Sequence, residues 1–204
     1  MDRREYWNAI YTSKGEQEVS WFEAMPVVSL ELIEAAGLKA ETCVIDIGGG
    51  DSRLVDQLVA RGLTCLAVLD VSGAALRRAQ ARLGAVAAAL IWIESDVANG
   101  WTLKPMDIWH DRAAFHFLTS VEDRLRYRAR LCQTLKPGGS AIVATFALDG
   151  PPTCSGLPVV RYSPESLAAE LGEEFHLVDA VPCAHRTPWG STQSFQYSHL
   201  QRLR

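Results

Sequence analysis

CVIDIGGGDS, residues 43–52, is the stretch that decides the fold. Val44, Ile45 and Ile47 make a short apolar, β-branched run, Asp46 stands near its carboxyl end, and Gly48, Gly49 and Gly50 follow directly. Glycine turns without steric penalty and lets backbone amides approach a ligand closely. Helical spacing of apolar residues resumes from Leu54 through Leu58 and Val59. A strand, a glycine loop and a helix in that order form the junction at which open α/β sheets bind nucleotide-like ligands, the helix amino end facing a negative group.

Outward from that junction the pattern repeats. A second apolar run, Leu63 to Leu69, ends in Asp70, and a helix with Ala75, Leu76, Ala79 and Leu83 follows. Third and fourth strands are expected at about Leu90–Ile93, ending in Glu94-Ser95-Asp96, and Met106–Trp109, ending in His110-Asp111-Arg112. The next helix, about Glu122–Leu135, is expected to bury Leu125, Ala129, Cys132 and Leu135 on one stripe and to stop at Lys136-Pro137-Gly138-Gly139. Ser140–Phe146 reads as the fifth strand, Asp149–Pro158 as a Pro/Gly-rich loop and Pro164–Leu171 as a short helix. Two β-like runs, about Phe175–Ala184 and Ser194–Leu200, then flank the turn Thr187-Pro188-Trp189-Gly190. Alternating strands and helices followed by a hairpin imply a mostly parallel sheet closed by antiparallel strands. Residues 1–40 read as a short helical cap on a core of residues 41–204, the whole making one domain.

Composition narrows the classes. With 48% hydrophobic residues the chain is not disordered, and a formal charge of -4 with scattered arginines gives no footprint for nucleic acid. The amino terminus, MDRREYWNAIY, lacks an apolar signal core, and the longest apolar run, Ala85–Ile93, is too short to span a bilayer. Five widely spaced cysteines with no CxxC pair are expected to be reduced thiols of a cytoplasmic protein, with no metal site.

Asp46-x-Gly48-x-Gly50, Asp70 roughly 20 residues beyond the glycines, Asp96 after the third strand, the LKPGG turn at residues 135–139 and the final hairpin together resemble the class I S-adenosylmethionine (SAM)-dependent methyltransferases. Ser52 stands where that family often has a third glycine. The resemblance implies an α/β, Rossmann-like doubly wound sheet of seven strands with helices on both faces. It implies SAM as methyl donor and S-adenosyl-L-homocysteine as product. On it, Asp46, Gly48, Gly49 and Gly50 cradle the donor, Asp70 accepts from the ribose hydroxyls with Val71 beside it, and Asp96 accepts from the adenine amino group with Val97 against the ring. A Gly-rich loop alone also suits a nicotinamide-dependent oxidoreductase, but no GxGxxG is present.

Methyl transfer from a sulfonium asks the protein chiefly to align the nucleophile, exclude water and, where needed, remove a proton. Candidate catalytic groups are therefore His110, Asp111 and Arg112 at the fourth strand's end, with Trp21 of the Glu18–Phe22 stretch. His110 is the candidate base, although His110-Asp111-Arg112 also reads as a hydrogen-bonded lid. Trp7, Tyr11, His116 and Arg161 are candidate substrate contacts, the aromatics alternatively being core and Cys154 a buried thiol. A small-molecule acceptor is expected; a protein lysine, suggested by the Tyr/Trp-rich amino terminus, is the alternative. A SAM-binding regulatory module without catalysis is the alternative of another class.

Overall fold

The computed structural model describes residues 2–204; Met1, where the expected cap begins, lies outside the described residues. Helix α1 (Arg3–Ser13) and helix α2 (Val27–Ala35) precede strand β1 (Val44–Ile47). Then come α3 (Leu54–Ala60), β2 (Leu66–Asp70), α4 (Gly73–Leu83), β3 (Ile91–Glu94), β4 (Met106–Arg112), α5 (Val121–Thr134) and β5 (Leu135–Phe146). A two-residue ladder, β6 (Thr153–Cys154) with β7 (Leu157–Pro158), lies inside the expected loop, before α6 (Pro164–Leu171), β8 (Phe175–Arg186) and β9 (Thr192–Arg202).

The main sheet has seven strands in the order β3-β2-β1-β4-β5-β9-β8, with β9 antiparallel to both of its neighbours and the other pairs parallel. Every residue of β1 and β2 is buried, as expected for central strands covered on both faces. β3 is an edge strand, and Ile91 there is exposed. Alternation along the strands splits the core: Ile45, Ile47, Trp109 and Val143 face α5 and α6, while Val44, Val68, Ile108 and Ile142 face α2, α3 and α4. Leu30 and Ile33 seat α2 in the second of these layers, so only α1 and the segment after it overhang the sheet.

Four expectations are corrected. β4 runs through His110, Asp111 and Arg112 instead of ending at Trp109, because all three pair with β5. The LKPGG stretch is part of β5: Leu135 pairs with Met106, and the register then shifts across Pro137 and Gly138 before Ser140 meets Ile108. On α5 the buried stripe is Tyr127, Leu131 and Thr134, while Leu125 and Ala129 face solvent. The thiols are not all reduced: Cys43 and Cys65 are joined by a disulfide with Cα atoms 4.6 Å apart, whereas Cys132, Cys154 and Cys183 are free. The physical reason is register, since Val44 pairs with Leu66 and the preceding residues must also stand opposite one another.

Candidate active site

The carboxyl ends of the parallel strands open into a cleft. Strand order lays out its floor. Ser95, Asp96 and Val97 follow β3; Asp70 and Val71 end β2; Gly48 follows β1; Arg112, Ala113 and Ala114 end β4; Phe195 projects from β9. Trp7 and Tyr11 of α1, with Trp21, roof it, the Trp7 ring lying 5.7 Å from Trp21 and 5.1 Å from Phe117. A second chamber is lined by Ser29, Asp46, Gly49, Arg53 and His110, and shares Tyr11, Trp21, Gly48 and Arg112 with the cleft.

The glycine loop is shaped by lack of room. Gly48 has φ +64°, and a Cβ there would lie 2.7 Å from Ala114 Cβ; one at Gly50, φ +43°, would lie 2.7 Å from Asp70 Oδ2. A Cβ at Gly49 would meet Asp46 Oδ2 at 2.5 Å. That oxygen is buried and has no hydrogen-bond partner, an orphan acceptor beside a cradle that only glycine permits.

Asp70 Oδ1 accepts from Ser72 N–H (2.7 Å), and burial, helped by the charge of Asp46, pushes the carboxyl up to about 7 despite that bond. Ser72 caps α4 through Ala75 N–H and donates to Asn8 Oδ1 (2.8 Å), which also accepts from Ala74 N–H (3.1 Å). Asp96 Oδ1 accepts from Ala98 N–H, and its Oδ2 from Arg3, which bridges to Asp123. Tyr6 donates to the Ser155 carbonyl. These contacts lay α1 across the cleft from the β3 side to the β6–β7 side.

The sequence triplet His110-Asp111-Arg112 is divided by the strand. Asp111 points to the opposite face from its neighbours. It accepts from Ala114 N–H (2.9 Å), Phe115 N–H and Tyr127 O–H (2.8 Å), fixing the turn in which Ala113 has φ +67°. Burial raises its carboxyl to about 6. His110 is buried with both ring nitrogens bonded, Nδ1 to Asp46 Oδ1 (2.7 Å) and Nε2 to Ser29 Oγ (2.9 Å). Arg112 donates Nε–H to Tyr197 Oη (3.0 Å) and Nη1–H to the Trp21 carbonyl (2.8 Å), and pairs through Nη2 with Glu23 (3.1 Å). Its guanidinium lies 5.2 Å from the Phe195 ring centre. Burial works against this charge, yet Tyr197 and Glu23 leave it more firmly protonated than usual.

The cleft therefore gathers Trp7, Tyr11, Trp21, Gly48, Asp70, Val71, Asp96, Val97 and Arg112. Asp46, Gly49 and His110 reach only the second chamber, and Gly50 supports Asp70 from behind. Asp111, His116 and Arg161 line neither. His116 is fully buried and pushed down to about 3, by burial and then by the charge of Arg112, and Arg161 holds the Gly150 carbonyl (3.0 Å). Arg3, Phe117, Gln193 and Phe195 line the cleft without having been singled out in the sequence. Only the alternation of β9, which pairs with β5 and turns Phe195 inward, would have pointed to one of them. Among the described residues no cluster of His, Cys, Asp and Glu could hold a metal.

Residues 44–139 match the family model described as a methyltransferase domain. A structure described by the conversion of a disulfide bond into a thioacetal group during echinomycin biosynthesis superposes with TM-score 0.79 at 18% identity, over 98% of this chain and 93% of that one. The N-methyltransferase NodS from Bradyrhizobium japonicum WM9, in complex with S-adenosyl-L-homocysteine, gives 0.74 at 16%, over 100% of both chains. The 1,6-didemethyltoxoflavin-N1-methyltransferase of Burkholderia thailandensis gives 0.69 at 17%, over 98% of this chain and 84% of that one. At these identities the likeness is one of fold. No curated protein matches the sequence.

Proposed function

We propose that the chain, whose residues 44–139 match a methyltransferase domain, delivers the methyl group of SAM to a small-molecule acceptor held at the aromatic end of the cleft. The observation that carries this reading is the asymmetry of one enclosed space: carboxylates Asp70 and Asp96 at the β2–β3 end, and Trp7, Trp21, Phe117 and Phe195 at the other. A roof of α1 and Trp21 over the cleft suits a compact acceptor. NodS is an N-methyltransferase and the Burkholderia thailandensis enzyme binds 1,6-didemethyltoxoflavin, a small molecule, so this fold serves such acceptors elsewhere.

When bound, SAM supplies a methyl group on a positively charged sulfur. The residues present fit it. Asp70 would accept from both ribose hydroxyls, Asp96 from the adenine amino group, and Val71 and Val97 would flank the base. The orphan Asp46 Oδ2 and the glycine cradle open toward the second chamber, where a charged amino-acid tail finds Asp46 and Arg53. Trp21 and Tyr11, on the wall between the chambers, exclude water and orient the acceptor. Arg112, its donors engaged, holds the Trp21 backbone in place as a positioning residue.

Calorimetry with S-adenosyl-L-homocysteine and NAD tests the cofactor: binding of the first alone is expected. Incubating the protein with methyl-labelled SAM and a whole lysate tests the acceptor. Label in the small-molecule fraction is expected, and label confined to a protein band would defeat this reading.

A further inference from the structure

We infer that the acceptor presents an uncharged nitrogen, carried on a planar, largely apolar molecule, as its methyl-accepting atom. This deepens the small-acceptor reading and rests on it. The acceptor end lies over β4, β5 and β9, because the β3 and β2 ends of the floor belong to the adenosine. It is walled by Trp7, Trp21, Phe117, Phe195, Cys154 and Gln193. Flat rings stack well between aromatic walls, and an anionic acceptor group would lose its hydration against them with nothing to replace it. The one charged side chain there among the described residues, Arg112, is already bonded to Tyr197, the Trp21 carbonyl and Glu23.

The same end holds no free base among the described residues. His110 has both nitrogens engaged by Asp46 and Ser29, and His116 does not reach the cleft. His185 faces Glu23 and the Ser20 carbonyl (2.6 Å) outside it. The Cys154 thiol and the Tyr11 phenol are each driven up by burial, the thiol to about 11, so neither is a proton acceptor. Hydroxyl acceptors need a proton taken as the bond forms, and a positioned base contributes roughly 10²–10⁴-fold to such a step. A neutral nitrogen already has its lone pair. That pair forms the N–CH₃ bond while the C–S bond breaks and its electrons stay on sulfur. A proton on the nitrogen, where there is one, then leaves to water. The positive charge that moves from sulfur to nitrogen stays among the rings of Trp7, Trp21 and Phe117, whose π faces attract a cation.

The test uses the full chain with trideuteromethyl-SAM and a deproteinised cell extract containing equimolar 2-aminonaphthalene and 2-naphthol, with the labelled atom read by fragmentation mass spectrometry. Label on nitrogen of uncharged ring-bearing products is expected, with the amine favoured over the naphthol by about 100-fold or more, the lower bound of the general-base range. Label on oxygen, sulfur or carbon, or on an acceptor carrying carboxylate or phosphate, overturns the inference and leaves the small-acceptor reading standing. No labelled small molecule while S-adenosyl-L-homocysteine still binds overturns both.

Discussion

Asp70 shows how much one buried carboxylate controls. Its folded-state pKa, about 7, stands above the ordinary value of 3.8, so between those limits the folded chain binds a proton that the unfolded chain has released. The ligand-free protein therefore loses stability as pH rises through that window, by on the order of a few kcal/mol, and Asp111 acts in the same direction up to about 6. Ribose hydroxyls favour the charged form, so SAM affinity should rise with pH, by up to about tenfold per unit, and level off above 7. Melting temperature and calorimetric Kd measured from pH 5 to 8 check both signs; a flat Kd would exclude Asp70 from binding. Asp70→Asn should weaken SAM binding by roughly 10- to 100-fold, the worth of a charge-assisted hydrogen bond, and remove that pH dependence. Histidine 110 behaves differently. His110→Ala strands Asp46 and Ser29, so the expected result is a loss of about 3 kcal/mol in urea unfolding, where a catalytic base would have left stability intact. The placement of Asp46, Gly48, Asp70 and Asp96 at the carboxyl ends of strands was legible because it follows from apolar runs and spacing. His110, Asp111 and Arg112 were not, because ending β4 at Trp109 made a loop cluster of three side chains that a continuing strand sends to alternate faces.

Among the elements, α1 is the one whose role exceeds its packing. It makes few core contacts, and only Tyr11 is buried, yet Arg3, Tyr6 and Asn8 each tie it to a different loop of the cleft. Asn8 is the strongest tie to the β2 loop, since its single oxygen serves both Ser72 and Ala74. Asn8→Ala leaves those donors unpaired at a cost of about 1–3 kcal/mol borne by the α1 contact, because the sheet core does not depend on it. The expected outcome is faster amide exchange along α1 and a SAM Kd weakened by about tenfold, with the exchange of β1 and β4 unchanged; slowed exchange in α1 on adding SAM would show the same coupling from the ligand side. Helix α5 illustrates what a sequence leaves ambiguous at this scale. Val121, Leu125 and Ala129 make as regular an apolar stripe as Tyr127, Leu131 and Thr134. What selects the second stripe is tertiary: the Tyr127 hydroxyl accepts from Trp109 Nε1 and donates to Asp111, both on β4, and no local period encodes those partners.

At the scale of the molecule, the two ends of the sheet do different work. The carboxyl ends of β1 and β2 carry the glycine loop and Asp70, while the residues before their amino ends carry the Cys43–Cys65 disulfide. Spacing along the chain could not reveal this bond, since Cys43 and Cys65 lie 22 residues apart and only the parallel register of β1 and β2 brings them face to face. Closing a loop of that length constrains the unfolded chain by about 3 kcal/mol in the chain-entropy account. For a domain of this size, each kcal/mol moves the melting temperature by about 2–4 °C, so reduction or the Cys43→Ser variant should lower it by roughly 6–12 °C. The ladder Val44–Leu66 to Ile47–Leu69 remains in place without the disulfide and keeps the loop and Asp70 in register. SAM affinity measured well below the melting point should therefore change by less than about twofold, since the covalent tie and the site share no side chain and effects at such separation add independently. A large loss of affinity on reduction would show instead that the disulfide sets the spacing between the glycine loop and Asp70, and that the amino and carboxyl ends of the sheet are mechanically one unit.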